Sequence, residues 1–182
     1  MKFIQTEIKD LIIIEPNVFG DSRGWFSETY NKCVFEKNSI SIEFVQDNHS
    51  YSAQKGVLRG LHFQNNPCAQ TKLVRCTKGK IWDVAVDLRK SSPTYLKWFG
   101  LELSAENRKM LLVPQGFAHG FVTLENHSEV QYKVDNIYDK LSDRSIQYND
   151  PQIGILWPIL DVILSDKDLK APLLKDSDVN FL

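Results

Sequence analysis

Cysteine is scarce in this chain, and a long apolar run is missing altogether. Three cysteines, Cys33, Cys68 and Cys76, occur among 182 residues, and none forms a CxxC pair. An odd, unpaired set speaks against a disulfide framework and for small, reduced side chains in a cytoplasmic protein. No apolar stretch approaches the ~18 residues that a membrane helix needs. The opening segment is interrupted by Gln5, Glu7, Lys9 and Asp10 and offers no signal-peptide core. An excess of either charge is also missing: 22 Lys and Arg stand against 23 Asp and Glu, for a formal net charge of -1. A protein that coats a polyanion is more basic, so nucleic acid is not an expected partner, although a local anion site stays open.

What is there is globular: 42% hydrophobic and 25% charged residues. No linker, repeat or low-complexity tract interrupts the chain, so residues 1–182 are expected to form one domain. A chain of this length buries roughly 70% of its unfolded surface and needs no staples. Between residues 42 and 134, short runs rich in Val, Ile, Leu and aromatics are separated by breakers. Among them are Gln54-Lys55-Gly56, Lys78-Gly79, Pro114-Gln115-Gly116 and Glu125-Asn126-His127. Strands at such short intervals predict an antiparallel sandwich or barrel. Short helices are expected over residues 30–38 and from Ser165.

Alternation along the strands places polar residues on the apolar face. Tyr132 falls in phase with Val130 and Val134, His119 with Phe117 and Phe121, Lys72 with Val74 and Cys76, and His62 with Gly60 and Leu58. A buried lysine is expensive unless it is partnered or used. An ionisable interior therefore points to a site.

Two segments resemble the paired motifs of cupin barrels. Pro114-x-Gly116-x-x-His119 fits the second motif and Gly56-x5-His62-x-Gln64 the start of the first. Gln64 stands where cupin metal sites usually carry a second histidine. Only His62 and His119 are offered as ligands, beside a cationic Lys72, so no metal is expected.

Longer segments resemble one family. They include Phe19-Gly20-Asp21-Ser22-Arg23-Gly24, Gln46-Asp47-Asn48-His49-Ser50, Leu58-Arg59-Gly60-Leu61-His62-Phe63-Gln64 and Lys72-Leu73-Val74-Arg75. Asp83-Val84-Ala85-Val86-Asp87-Leu88-Arg89, Gly116-Phe117-Ala118-His119-Gly120-Phe121, Asn149-Asp150-Pro151 and Leu164-Ser165-Asp166-Lys167-Asp168 continue the series in order. The resemblance is to the dTDP-4-dehydrorhamnose 3,5-epimerases. It implies an all-β jelly roll, a double-stranded β-helix of cupin type, with short C-terminal helices. It also implies a homodimer whose N-terminal regions help cover each other's sites, and a dTDP-linked 4-keto-6-deoxy sugar as substrate. That sugar is inverted at C3 and C5 through enolates, in L-rhamnose biosynthesis, with no cofactor.

The same resemblance implies residue roles. His62 is the base and Asp168 orients it, although Ser165-x-x-Asp168 also reads as a helix capping box. Lys72 faces the 4-keto oxygen, and Tyr132 is the acid on the opposite sugar face. Arg23 and Arg59 sit at diphosphate-contacting positions. Glu28, Gln46, Asp47, Asn48, His119, Asp143 and Lys167 match further binding positions, with Asp143 where many relatives carry Glu. Phe26 and Tyr138 are candidate aromatic faces for the base. Two alternatives remain at this stage. One is an epimerase of a single carbon, with Tyr132 speaking against its C3-only version, or a ketoisomerase. The other is a silent sugar-nucleotide-binding cupin, which has no need of His62, Asp168, Lys72 and Tyr132 together.

Overall fold

The computed structural model describes residues 1–182. Its N-terminal third holds β1 (Lys2–Gln5), β2 (Ile12–Glu15), β3 (Val18–Asp21), β4 (Gly24–Ser27), α1 (Lys32–Lys37) and β5 (Gln46–Ser52). The centre is β6 (Leu58–Gln64), β7 (Lys72–Lys78), β8 (Lys80–Asp87), β9 (Trp98–Ser104), β10 (Met110–Val113), β11 (Phe117–Thr123) and β12 (Ser128–Val134). β13 (Asp143–Ser145), α2 (Asp166–Leu169) and a 3-10 turn at Leu174–Asp176 complete it. The expected helices are thus α1, N-capped by Asn31, and α2, N-capped by Ser165. No helix is long and apolar enough to cross a membrane.

Two antiparallel sheets face each other, with strand orders β1-β2-β10-β7-β12-β5 and β13-β6-β11-β8-β9. From β9 onward each successive strand changes sheet, as it does from β5 to β8. That alternation is the double-stranded β-helix jelly roll. β3 and β4 form a separate hairpin.

Apolar packing occupies three layers. Between the sheets lie Val74, Cys76, Ile81, Ala85, Leu111, Phe117, Phe121 and Val130, closed at one end by Ile8 and Leu11. Outside the first sheet, Phe35 of α1 and Ile40 pack on Ile12, Ile14, Leu73 and Leu112. Outside the second, the C-terminal segment lays Ile146, Ile153, Leu174 and Phe181 on Leu61, Phe63, Val84, Val86 and Ala118. Both sheets are therefore covered on both faces. This is why β10 and β11 are buried along their whole length instead of alternating.

Several matching motifs serve this scaffold. Asp87 is fully buried and accepts from Arg89, Ser92 and Thr94. Asp150 accepts from the backbone N–H groups of Gln152, Ile153 and Leu174. The three cysteines are free, and burial pushes the Cys76 thiol up to about 11.

Candidate active site

The other end of the space between the sheets is polar. A cleft of about 450 Å³ is lined by Arg59, His62, Lys72, His119, Tyr132 and Asp168, among others. A second cleft of about 450 Å³ shares His62, Lys72 and Tyr132 and continues to Gln46, Asn48, Tyr138, Asp143 and Lys167. His62 and His119 come from one sheet, and Lys72, Tyr132, Gln46 and Asn48 from the facing one. A flat ligand between the sheets meets His62 on one side and Tyr132 on the other.

A bulge sets which side chains of β6 face this space. His119 pairs with His62 and Phe121 with Arg59, so two steps on β11 match three on β6. Strict alternation from His62 sends Arg59 to the opposite face and puts Leu58 and Gly60 with His62. The bulge instead brings Arg59 onto the face of His62, correcting the sequence reading. Two glycines permit it. A Cβ on Gly60 would lie 2.6 Å from Gly120 Cα, and Gly60 has a φ of +130°.

His62 Nε2 lies 2.5 Å from Asp168 Oδ1. Ser165 fixes the carboxylate from the other side: its Oγ donates to Asp168 Oδ2 at 2.9 Å and accepts from the Asp168 N–H at 3.2 Å. The helix-cap and histidine-orienting readings of this segment therefore coexist. Ser165 caps α2, while the Asp168 carboxylate is directed at His62. Burial opposes ionisation of Asp168, yet the His62 hydrogen bond and charge, Ser165 and the Gly60 amide hold its carboxyl below the usual range.

Lys72 is 8% exposed, and its one hydrogen bond, to the His62 carbonyl, is long at 3.4 Å. Burial lowers its pKa to about 8, against the upward pull of Asp83 and Asp143. Tyr132 is shifted upward, chiefly by burial, with the Arg59 charge opposing. Arg59 is held ready by Ser52 Oγ at 3.3 Å and the Tyr51 carbonyl at 3.0 Å.

At the far end, Lys167 pairs with Asp143 at 2.5 Å, and the Tyr138 hydroxyl donates to the same oxygen at 3.2 Å. Gln46 donates to Asn48 and accepts from the Tyr138 N–H.

Four of the expected residues, Arg23, Phe26, Glu28 and Asp47, are not in the cleft. β5 alternates, so Gln46 and Asn48 face inward while Asp47 points out, 75% exposed, to pair with Lys133. Arg23 sits in the β3–β4 turn, 88% exposed and paired with Asp21. Glu28 accepts from Asn31 just beyond that hairpin. Conversely, Asp83 was missed as a site residue. It is fully buried and lies 2.9 Å from His119 Nε2. Its signal was a charged residue between the apolar residues Trp82 and Val84, in phase with Ile81 and Ala85.

The donor set does not fit a cupin metal. Gln64 is spent on structure: its amide donates to the Cys68 and Ile137 carbonyls and accepts from the Asp139 N–H. Nε2 of both histidines is engaged by a carboxylate. A strong chelator is expected to leave turnover intact, and loss reversed by one divalent ion counts against this.

The profile of the dTDP-4-dehydrorhamnose 3,5-epimerase family matches residues 5–176. The chain is 54% identical over 179 residues to the dTDP-4-dehydrorhamnose 3,5-epimerase of Shigella flexneri, covering 98% of each chain. The Bacillus anthracis enzyme of that name, crystallised with TDP and PPi bound, superposes with a TM-score of 0.93 at 54% identity, covering 95% of this chain and 99% of that one. A Legionella pneumophila 3,5-epimerase in complex with dTDP-4-keto-L-rhamnose gives a TM-score of 0.93 at 46% identity, covering 97% and 94%. With nearly the whole length matched in sequence and in fold, this chain belongs to the dTDP-4-dehydrorhamnose 3,5-epimerase family.

Proposed function

We propose that the cleft inverts C3 and C5 of dTDP-4-dehydro-6-deoxy-D-glucose, giving dTDP-4-dehydro-L-rhamnose. The protein is an isomerase of dTDP-rhamnose synthesis, as its relatives are. The observation that carries the residue roles is His62 on one sheet, backed by Asp168 of α2, facing Tyr132 on the other sheet, with Lys72 beside them.

The chemistry follows from the ketone. C3 and C5 both flank C4, so removing either proton sends its electron pair into a C–C double bond and places negative charge on the C4 oxygen. His62 takes the proton, and Asp168 stabilises the imidazolium that results. The Lys72 ammonium stabilises the enolate oxygen. Tyr132 returns a proton from the opposite face, which inverts the carbon. No electron leaves the substrate, so the reaction needs no redox partner.

Arg59 meets the diphosphate, and Tyr138 offers an aromatic face at the other end of the cleft. Arg23, Glu28 and Phe26 reach a site only if a second copy supplies one. The β3–β4 hairpin leaves Phe19, Trp25 and Phe26 63%, 59% and 69% exposed. That supports a homodimer in which each hairpin covers its partner's cleft.

Proton NMR of dTDP-4-dehydro-6-deoxy-D-glucose with enzyme in deuterated water tests the function. Exchange at both C3 and C5, with the L-configured product, is expected. Exchange at one carbon reassigns it as a single-carbon epimerase, and none at all as a binder.

Two further outcomes follow. Lys72 is charged below about pH 8 and neutral above it, so turnover is expected to fall on an alkaline limb centred near that value. A flat rate to pH 10 overturns the lowered pKa of Lys72, since an ordinary lysine stays charged to about that pH. Arg59→Ala is expected to weaken dTDP binding by roughly 2–5 kcal/mol, as for a broken buried charge pair. Calorimetry showing an unchanged Kd takes Arg59 out of the diphosphate site.

A further inference from the structure

Asp83 is the buried charge that the reaction scheme leaves unused. It stands on β8 in the register of Phe121, with His119 diagonal to it on the same inward face. Its Oδ1 lies 2.9 Å from His119 Nε2, and its Oδ2 has no hydrogen-bond partner although the residue is fully buried. Such a half-satisfied carboxylate is costly in a core and calls for an explanation. His119 is 6% exposed and lines the cleft together with Lys72 and His62.

We propose that Asp83 is a positioning residue of this site, fixing His119 through Nε2 and keeping the Lys72 ammonium charged beside the enolate. This rests on the role given to Lys72 above. The groups that share its end of the cleft come from every surrounding element. They are His62 and Arg59 on β6, Asp83 on β8, His119 on β11, Tyr132 on β12, Asp143 on β13, and Lys167 and Asp168 on α2. Asp168 is committed to His62, and Asp143 to Lys167 and Tyr138. Asp83 alone among the three carboxylates keeps a buried oxygen without a partner, and its charge favours protonated Lys72. Without it, burial acts on Lys72 with less opposition, and the ammonium is lost at lower pH.

Asp83→Asn keeps an acceptor for His119 and removes only the charge. Nitrogen-detected NMR of the substrate-free protein reads Lys72, identified by its loss in Lys72→Arg. Its titration midpoint is expected to fall by about one pH unit or more in Asp83→Asn. The alkaline limb of turnover is expected to move down with it, and Asp83→Glu to restore both toward wild type. An unchanged Lys72 midpoint in a folded Asp83→Asn overturns the proposal. If neither variant folds, the wild-type protein decides: His119 must carry a proton on Nε2, and a tautomer with bare Nε2 overturns the pairing. These NMR readings use no substrate, so they stand or fall apart from the epimerase reading, which wild-type exchange in deuterated water tests by itself.

Discussion

His62→Ala is expected to abolish deuterium entry at both C3 and C5 of the substrate. The loss should be at least the 10²–10⁴-fold typical of a positioned general base. On the proposed scheme one base begins both inversions, so the two positions must fail together. The structure supports a single base: His62 has Asp168 fixed behind it by Ser165, whereas the other cleft histidine is turned by Nε2 to Asp83. Asp168→Asn supplies the graded comparison. It keeps the shape of the pair and removes the counter-charge to the imidazolium, so exchange should slow at both carbons without vanishing. Circular dichroism and dTDP binding should stay close to wild type in both variants, because neither residue belongs to the apolar layers. Near-normal exchange in His62→Ala rejects the base assignment. Loss at one carbon only splits the work between two bases.

How much of this was legible in the sequence depends on what each residue answers to. An antiparallel sandwich or barrel was readable because breakers such as Lys78-Gly79 and Pro114-Gln115-Gly116 fall between strands that answer to local turn chemistry, while the jelly-roll order came only with the family resemblance. The inward phase of Lys72, His119 and Tyr132 followed from period-two alternation. Arg59 escaped that rule, since the bulge opposite Gly120 shifts the phase within β6. Asp47 escaped it in the opposite sense. Its neighbours Gln46 and Asn48 do face the cleft, and a motif of adjacent residues hides the alternation between them. Asp83 was hidden because its partner, His119, is 36 residues away, on a strand that meets β8 only in the folded sheet. Arg23 and Glu28 lie at the β3–β4 hairpin, away from this chain's cleft, so no strand alternation could place them in it.

Tyr132→Phe is expected to leave the protein folded and able to abstract protons, yet unable to deliver the doubly inverted sugar at a useful rate. The ring packs against the inter-sheet core beside Val74 and Val130, and phenylalanine keeps that contact. The hydroxyl reaches the cleft and makes no hydrogen bond within the chain, so its removal should change stability by less than ~1 kcal/mol. Burial raises its ionisation above the ordinary tyrosine value, so at neutral pH it carries the proton it must give. In the variant, His62 still forms the enolate and still holds a proton on its own face. Once that proton has exchanged with solvent, His62 returns deuterium to the side it came from. Proton NMR in deuterated water should show label entering C5 with its original configuration, while the L-configured product falls sharply. The same spectrum separates this from a structural role, in which rate and product fall together or neither changes. Doubly inverted sugar formed by Tyr132→Phe at the wild-type rate would show that the second proton comes from elsewhere.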